Sequence, residues 1–466
     1  MPDTSLPLLP ANRAAGAIPI IPVTSGSWAG IERGLDKPSR TWLKASGFAG
    51  QTGRHALLPD KSGNLHKVFY GTAEIVRPGE AFDFAKLVRL LPDAAYRIEG
   101  KLPDLRGAVM GWLLETYRFE RYRKPSAPSP RLVCPAELDR AAMLSAAEAH
   151  FMVRDLVNTP SADMGPDELE KAARQVASRH RAKLRVVTGD RLRRDFPMIH
   201  AVGQASPRRP RLIDFTWGPA RAPKVTLVGK GVCFDTGGLD IKPASGMLTM
   251  KKDMGGAANV LGLARMIMEA RLKLRLRVLI PAVENSIAGN AFRPGDVLTS
   301  RKGIRVEIGN TDAEGRLILG DALALADEES PDLLIDMATL TGAARIALGP
   351  DLPPFYTDDD RLAGDLARHA MAVNDPVWRM PFWTPYYALI ESSVAELNNA
   401  GESGFAGSVT AALFLKRFVE RAKSYAHFDI FAWVPAAKPG RPRGGEAQAI
   451  HALYGLIAER YGKAGA

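Results

Sequence analysis

The chain has 466 residues, of which 46% are hydrophobic and 24% are charged, a balance that excludes disordered and fibrous proteins. Its length exceeds that of one ordinary hydrophobic core, so we expect two domains. The formal net charge of +11 is compatible with a DNA partner, but the arginines are spread along the whole chain. This spread favours a solvated basic surface over nucleic-acid binding.

Cysteine usage and the N-terminal stretch indicate the compartment. The two cysteines, Cys134 and Cys233, are too few for a disulfide framework and suit a reducing environment. Residues 7–22 contain several prolines and lack the basic-then-apolar order of a secretory signal. No run reaches the ~18 apolar residues of a membrane span. We therefore expect a cytoplasmic protein without a membrane partner.

The first 130 residues predict a small α/β domain. Residues 66–75 have the pattern of a strand, while residues 83–93 and 107–122 have the pattern of amphipathic helices. The stretch 124–130, Lys-Pro-Ser-Ala-Pro-Ser-Pro, cannot continue a helix and is typical of an exposed connector. This part of the chain contains no catalytic motif.

Residues 131–160 predict a connecting segment, most of it one amphipathic helix over 135–157 that ends before Pro160. In residues 161–466, strands alternate with helices near 254–271 and 315–329; the predicted strands cover 183–188, 211–216, 224–228, 275–281 and 332–337. That alternation predicts a larger domain with a mostly parallel sheet covered by helices on both faces. The small and polar residues 398–408, before an apolar helix over 409–419, predict a loop near a site.

Two groups of carboxylates and lysines follow predicted core strands, where α/β sheets usually bind their ligands. The first group follows strand 224–228 and contains Lys230, Asp235, Lys242 and Asp253. The second is the octapeptide Asn-Thr-Asp-Ala-Glu-Gly-Arg-Leu at residues 310–317. The chain has no GxxxxGK[ST], GxSxG or HExxH motif, which excludes several common nucleotide, serine-hydrolase and zinc sites.

The remaining candidates are oxygen ligands of hard or borderline divalent ions such as manganese, magnesium or zinc. Four carboxylates in one cleft repel one another unless cations balance them, and two divalent ions balance four charges. We expect Gly315 to permit the turn that aims two of them. A nearby dication also favours a neutral lysine, so an amine can join the ligands. The candidate ligands are Lys230, Asp235, Asp253, Asp312 and Glu314.

Single residues in these groups also have simpler interpretations. Asp253 could cap a helix, Arg316 could form a surface ion pair and Met250 could belong to the core. The eight histidines are scattered outside both groups, and we expect them to be structural or surface residues.

The two groups resemble the leucyl aminopeptidase family, also called cytosol aminopeptidases, whose signature octapeptide is intact at residues 310–317. The resemblance extends over residues 154–165, 229–256, 293–321 and 336–342, whereas residues 1–130 show none. It implies that the tighter metal ion is bound by Lys230, Asp235, Asp253 and Glu314. It also implies that the exchangeable ion is bound by Asp235, Asp312 and Glu314, with the Asp312 backbone carbonyl as a further ligand.

The same resemblance implies roles for the residues around the metal ions. Lys242 stands at the position of the family's catalytic lysine, and Arg316 at that of its anchor for a bicarbonate that acts as general base. The substrate cleft would be lined by Thr339, Leu340 and Gly342, with Met250 in the side-chain pocket. Thr236, where serine is common in the family, and the divergent residues 398–405 leave the substrate preference open.

The implied activity is removal of the N-terminal residue, with leucine or another apolar residue preferred, from peptides with a free N-terminus. Two metal ions, manganese or zinc, would activate the attacking water. The family forms hexamers of two stacked trimers, so we expect a homohexamer. Two alternatives remain from the sequence: a family member that chiefly binds DNA through its basic surface, and a two-metal phosphoesterase.

Overall fold

The computed structural model describes residues 6–125, 128–401 and 403–462. Residues 126 and 127 of the predicted connector, and residue 402 of the predicted loop 398–408, lie outside the described residues. The chain forms two compact units, one of Met1–Phe151 with Ala436–Arg443 and one of Met152–Pro435 with Gly444–Ala466. The first unit extends past residue 130 because the strand Arg131–Val133 belongs to its sheet.

The first unit contains a six-stranded sheet in which every pairing is parallel except the one at the His55–Pro59 edge. In spatial order its strands are Leu8–Leu9, Arg131–Val133, Ala95–Ile98, Ile18–Val23, Leu65–Gly71 and His55–Pro59. Its helices are Ser25–Arg33, Lys37–Ala45, Leu87–Leu90 and Leu105–Glu115, with short 3-10 turns at Ala11–Arg13 and Asp83–Lys86. Helix Arg140–Asn158 follows and includes the last residues of this unit.

Helix Leu105–Glu115 is shorter than the predicted helix over 107–122, so the last seven predicted positions are wrong. The side chain of Arg118 turns back and donates to the carbonyl oxygens of Glu115 and Tyr117, which satisfies groups that a longer helix would have bonded internally. Part of the core of this unit consists of aromatic residues that are distant in sequence: the Trp28 ring packs edge to face against Phe48 and Phe69, with ring centres 5.1 and 6.0 Å apart.

The second unit contains a nine-stranded sheet with five parallel and three antiparallel pairings. Its main path runs in the order Trp378–Met380, Pro354–Tyr356, Tyr425–Asp429, Leu333–Ala338, Lys224–Gly229, Arg275–Asn285, Arg211–Trp217 and Lys183–Val187. Strand Gly231–Asp235 pairs with Arg275–Asn285 beside this path. Smaller sheets join Val297–Thr299, Arg305–Glu307 and Leu397–Asn398, and Trp433–Val434 with Gly444–Gly445.

The helices of the second unit cover this sheet. They are Pro166–Arg179, Gly189–Asp195, Pro197–Gly203, Ala244–Met247, Gly255–Glu269, Glu314–Asp327, Gly342–Leu348, Asp360–Ala372, Gly407–Lys416 and Ile450–Tyr461, with 3-10 turns at Ser161–Asp163, Met250–Met254 and Thr384–Ile390. Strand Leu333–Ala338 is buried at every position, which requires cover on both faces of the sheet. The predicted fold class, a small α/β domain followed by a larger domain with a mostly parallel sheet, is confirmed.

The central strands end where the sequence places its polar groups. Strands Lys224–Gly229, Gly231–Asp235, Arg275–Asn285 and Leu333–Ala338 run parallel, so their carboxyl ends meet at one edge of the sheet. Lys230, Asp235, Asn285 and Thr339 lie at or directly after these ends.

Within the described part of the chain, no helix has the length and apolar character that crossing a bilayer requires.

Asp321 connects three segments of the second unit from inside helix Glu314–Asp327. Its carboxylate is fully buried and accepts backbone hydrogen bonds from Met198 at 2.9 Å, Ile199 at 3.2 Å and Arg301 at 2.7 Å. These amides sit at the start of helix Pro197–Gly203 and in the turn after Thr299, so one side chain satisfies donors from two distant segments.

We expect Asp321→Asn to lower the free energy of unfolding by about 2–4 kcal/mol, because an amide NH₂ would face a backbone donor with no acceptor between them. Glu328→Gln is the control, since Glu328 pairs with the side chain of the same Arg301 at the surface and should cost less than about 1 kcal/mol. Urea unfolding measures both, and equal midpoints would contradict the role given to Asp321.

Candidate metal centre

Lys230 follows strand Lys224–Gly229, and its main chain is fixed on both sides. Its backbone N–H donates to the Met337 carbonyl oxygen at 3.0 Å, and its carbonyl oxygen accepts from the Ala257 N–H at 2.8 Å. A side chain at Gly256 would meet the Met337 oxygen at 2.1 Å, so this close approach of helix and strands requires glycine. Backbone hydrogen bonds therefore fix the position of Lys230 independently of the contacts of its side chain.

The buried Lys230 ammonium contacts three oxygens from three other segments. Its Nζ lies 2.8 Å from Asp253 Oδ2, 3.0 Å from Glu314 Oε1 and 3.0 Å from the Thr339 carbonyl oxygen. Burial alone would lower the pKa of Lys230, but the neighbouring carboxylates outweigh it and hold the pKa above its ordinary value. Lys230 is thus a cation at a point where carboxylates converge.

Lys242 occupies a second such point. Its Nζ lies 2.9 Å from Asp235 Oδ2 and also forms an ion pair with Asp312 Oδ1. Burial would lower the pKa of Lys242, but Asp235 and Asp312 raise it above its ordinary value. The two lysines therefore connect all four predicted carboxylate ligands into one cluster.

The carboxylates also lie close to one another. Asp235, Asp312 and Glu314 each offer an oxygen, and these atoms all lie within 4.8 Å of one another. Burial and repulsion from Asp235 raise the pKa of Glu314 well above its ordinary value and that of Asp312 to about 6. Asp253 differs, because Lys230, Lys252 and Thr339 outweigh its burial and hold its pKa below its ordinary value. The repulsion is therefore greatest where Asp312 and Glu314 face Asp235.

Three carboxylate oxygens of this cluster are placed better to bind a metal cation than to accept hydrogen bonds from the lysines. Asp253 Oδ2, Asp312 Oδ1 and Glu314 Oε1 are buried and form no hydrogen bond of good geometry within the described residues. Each lies within ion-pair distance of a lysine nitrogen but off the direction that a hydrogen bond requires. Oxygen atoms from carboxylates, with one amine, are a donor set suited to manganese or zinc.

Gly315 has a different role from the one predicted. Helix Glu314–Asp327 begins at Glu314, so Gly315 lies inside it, and its φ is not in the left-handed region. Glycine is needed for space, because a Cβ here would lie 2.6 Å from both Cε and Nζ of Lys230. The prediction that Gly315 permits a turn is wrong; it leaves room for the buried lysine.

Residues that the sequence did not single out hold the ligands in place. Asn285 Nδ2 donates to Asp235 Oδ1 at 2.9 Å and to the Thr311 carbonyl oxygen at 3.1 Å, which joins the two ligand segments. Asp240 Oδ2 accepts from the Thr311 N–H at 2.7 Å. Asn399 Oδ1 accepts from the Gly309 and Asn310 amides. The only signal for Asn399 was its place in the predicted loop 398–408.

Of the expected substrate-cleft residues, Thr339 contacts Asp253 directly and Met250 lies in the same turn as Asp253. Thr339 Oγ1 donates to Asp253 Oδ1 at 2.8 Å, so this side chain holds a predicted ligand. Met250, 9% exposed, lies in the same 3-10 turn as Asp253. The Leu340 N–H donates to Asp429 Oδ1 at 3.1 Å, and Gly342 is an exposed residue that begins helix Gly342–Leu348.

Arg316 is a buried cation in helix Glu314–Asp327. Its Nε and Nη1 have no hydrogen-bond partner within the described residues, and its guanidinium lies 6.0 Å from the centre of the Phe414 ring. Burial lowers the pKa of Arg316 to about 10, although Glu314 and Asp429 oppose this effect. A buried guanidinium with free donors fits a small planar anion such as bicarbonate.

His427 is a buried histidine with a structural role, one of the two roles that the sequence predicts for the histidines. Its Nδ1 lies 2.7 Å from Asp336 Oδ1, and Asp336 Oδ2 accepts from the Tyr425 hydroxyl at 2.7 Å. Among the described residues, the group of side chains close enough to share a metal ion contains carboxylates and no histidine.

Family models match both parts of the chain. The cytosol aminopeptidase family, catalytic domain, matches residues 151–454. The M17 aminopeptidase, N-terminal domain, matches residues 18–135, the part for which the sequence alone suggested no relative.

Individual relatives agree with these matches. A probable cytosol aminopeptidase of Chlorobium phaeobacteroides is 44% identical over 315 residues, which cover 66% of this chain and 62% of that relative, less than two thirds of its length. The crystal structure of a cytosol aminopeptidase from Coxiella burnetii superposes with a TM-score of 0.92 at 46% identity, covering 96% of this chain and 98% of the other.

A third similar structure is that of the bottromycin maturation enzyme BotP in complex with manganese. It has a TM-score of 0.85 at 30% identity and covers 95% of this chain and 99% of the other. The family models, the sequence identities and the shared fold lead to one conclusion. The chain belongs to the cytosol aminopeptidase family of metal-dependent hydrolases that act on peptides.

Proposed function

We propose that this chain removes the N-terminal residue from peptides with a free N-terminus, with the help of two divalent metal ions. The observation that carries the proposal is the convergence of four carboxylates and Lys230 at the carboxyl edge of a parallel sheet. Four negative charges match two divalent cations, whereas the two lysine ammonium groups balance only half of them.

One ion would be held by Lys230, Asp235, Asp253 and Glu314, and the other by Asp235, Asp312 and Glu314. Such ions, when bound, supply Lewis acidity that activates water and polarises a peptide carbonyl. Manganese is supported by the manganese complex of BotP, and zinc by the same donor set. For Lys230 to bind as a neutral amine, the nearby dications must overcome the carboxylates that now keep it charged.

Lys242 is the proposed electrophilic residue. In this structure Asp235 and Asp312 raise the pKa of Lys242 and keep its ammonium charged, and its side chain is 14% exposed. A fixed positive donor stabilises the oxygen on which negative charge develops in the transition state. Arg316 is the proposed anchor of a bicarbonate, which would supply the general base. Two nitrogens of this buried guanidinium, Nε and Nη1, form no hydrogen bond with any residue that the structure describes.

The residues around the cluster support a preference for leucine or another apolar N-terminal residue. Met250 and Leu340 supply apolar side chains, and Gly342 is an exposed residue without a side chain. A hydrophobic pocket distinguishes substrates by about 1–3 kcal/mol for each methylene gained or lost. Thr339 would act through Asp253, to which its hydroxyl donates.

We expect the double variant Asp312→Asn/Glu314→Gln to lose about 10³-fold or more in kcat on an unblocked leucyl peptide with added manganese or zinc. The reason is that several kcal/mol of metal-dependent stabilisation would be lost. The control Asp360→Asn/Glu391→Gln removes the same charge from two exposed residues and should keep full activity. Equal activity of the wild type and the first variant would exclude the proposed centre.

Gly315→Ala should weaken manganese binding by about tenfold or more, because the new Cβ would displace Lys230 from between Asp253 and Glu314. Gly364→Ala is the matched control, since Gly364 also lies in a helix but its Cβ would meet nothing within 4 Å. Calorimetric titration with manganese compares the two variants. Unchanged affinity in Gly315→Ala would show that Lys230 takes no part in binding.

We also propose a cytoplasmic homohexamer. The names of the relatives support the location, and exposed apolar side chains of the second unit support burial between subunits: Leu248 at 82%, Phe405 at 83% and Ile346 at 90% exposure. Light scattering should give the mass of six chains. A monomer at micromolar concentration would refute this assembly.

A further inference from the structure

Two cations that the proposed mechanism does not use lie against one aromatic ring. The guanidinium carbon of Arg345 is 4.7 Å from the centre of the Phe431 ring, and Nζ of Lys252 is 5.1 Å from the same centre. Lys252 is 2% exposed, and Arg345 is half-buried. A contact with an aromatic ring compensates only part of the cost of burying a positive charge.

Neither cation has a carboxylate partner among the described residues. The carboxylates whose charge reaches Lys252 are both engaged elsewhere. Asp253 pairs with Lys230, and Asp429 accepts from the backbone of Leu340 and Thr341 and from the Thr341 and Ser408 hydroxyls. The pair of cations therefore has an unbalanced positive charge that an anion would neutralise.

Arg345 is held in an orientation in which one edge of its guanidinium forms no hydrogen bond with the residues that the structure describes. Its Nη1 donates to the Thr341 carbonyl oxygen at 2.9 Å, while its plane lies near Phe431. Its Nη2 points towards Gly342, where a Cβ would lie 3.6 Å from this nitrogen. Because the side chain is already fixed, binding of a ligand costs little further ordering, and the planar fork suits a carboxylate.

Both cations come from the segments that carry the proposed substrate pocket. Lys252 lies two residues after Met250 in the turn Met250–Met254, and Arg345 lies three residues after Gly342 in helix Gly342–Leu348. A purely apolar pocket excludes a carboxylate, since an unpaired buried charge is costly. The two cations remove that cost at one side of the pocket.

We propose that Arg345 is a specificity-determining residue that binds the side-chain carboxylate of peptides beginning with glutamate or aspartate, while Lys252 adds positive potential behind it. This inference rests on the proposed aminopeptidase function and extends its substrates beyond apolar N-terminal residues. Lys252 is too buried to touch the substrate, so only Arg345 makes the contact.

The test compares kcat/KM for matched glutamyl, glutaminyl and leucyl peptides in manganese-loaded wild type, Arg345→Gln and Arg345→Lys. Arg345→Gln should lose about 10- to 100-fold on the glutamyl peptide and less than about threefold on the other two. Arg345→Lys should recover part of the glutamyl activity. The control Arg361→Gln removes the same charge from an exposed position and should leave all three substrates unchanged.

Several outcomes would overturn the inference. One is a wild type that cleaves the leucyl peptide but not the glutamyl peptide, and another is an equal loss on all three substrates in Arg345→Gln, which would indicate a structural role. If no peptide is cleaved, the proposed aminopeptidase function fails, and calorimetry with free L-glutamate and L-leucine decides the inference separately. Tighter glutamate binding by wild type than by Arg345→Gln supports it, and equal binding refutes it.

Discussion

The constraint on which this structure depends is the burial of four carboxylates together. Two ammonium groups, Lys230 and Lys242, lie among them and leave an excess of negative charge. Such an arrangement is costly for a folded protein unless further cations bind, because desolvated like charges repel strongly. Burial, together with repulsion from Asp235, raises the pKa of Asp312 and of Glu314. Binding of the proposed metal ions would relieve this repulsion.

The parallel sheet makes this cluster possible. Strands that run in one direction bring their last residues to the same edge, so Asp235, Asn285 and Thr339 meet although they are distant in sequence. Close packing around the cluster then depends on glycines, which have no side chain. Gly256 allows helix Gly255–Glu269 to pack closely against the sheet beside Lys230. Gly315 leaves room for the Lys230 side chain to lie against helix Glu314–Asp327. Backbone geometry sets the positions of the charged groups, and their hydrogen bonds refine them.

Local patterns explain what the sequence predicted correctly, and long-range contacts explain what it did not. The strand at Leu333–Ala338 is apolar at every position except Asp336, so its position and burial could be predicted from the sequence. Strand Ile18–Val23 was missed because its two prolines are typical of irregular chain, yet it pairs on both sides. Asn285 was missed because its partners Asp235 and Thr311 lie far along the chain. A motif shows the ligand types, but not the side chains that orient them.

The structure also separates charge of opposite sign within one short segment. In the turn Met250–Met254, Asp253 faces Lys230 among the carboxylates, while its neighbour Lys252 faces Phe431 and Arg345. Successive side chains of a tight turn point in different directions, so one turn contributes to a negative cluster and to a positive one. The electric field between such groups is strong where water is excluded. In the proposed function, a peptide that enters between them would meet negative charge on one side and positive charge on the other, and this field would orient its ammonium and its side chain.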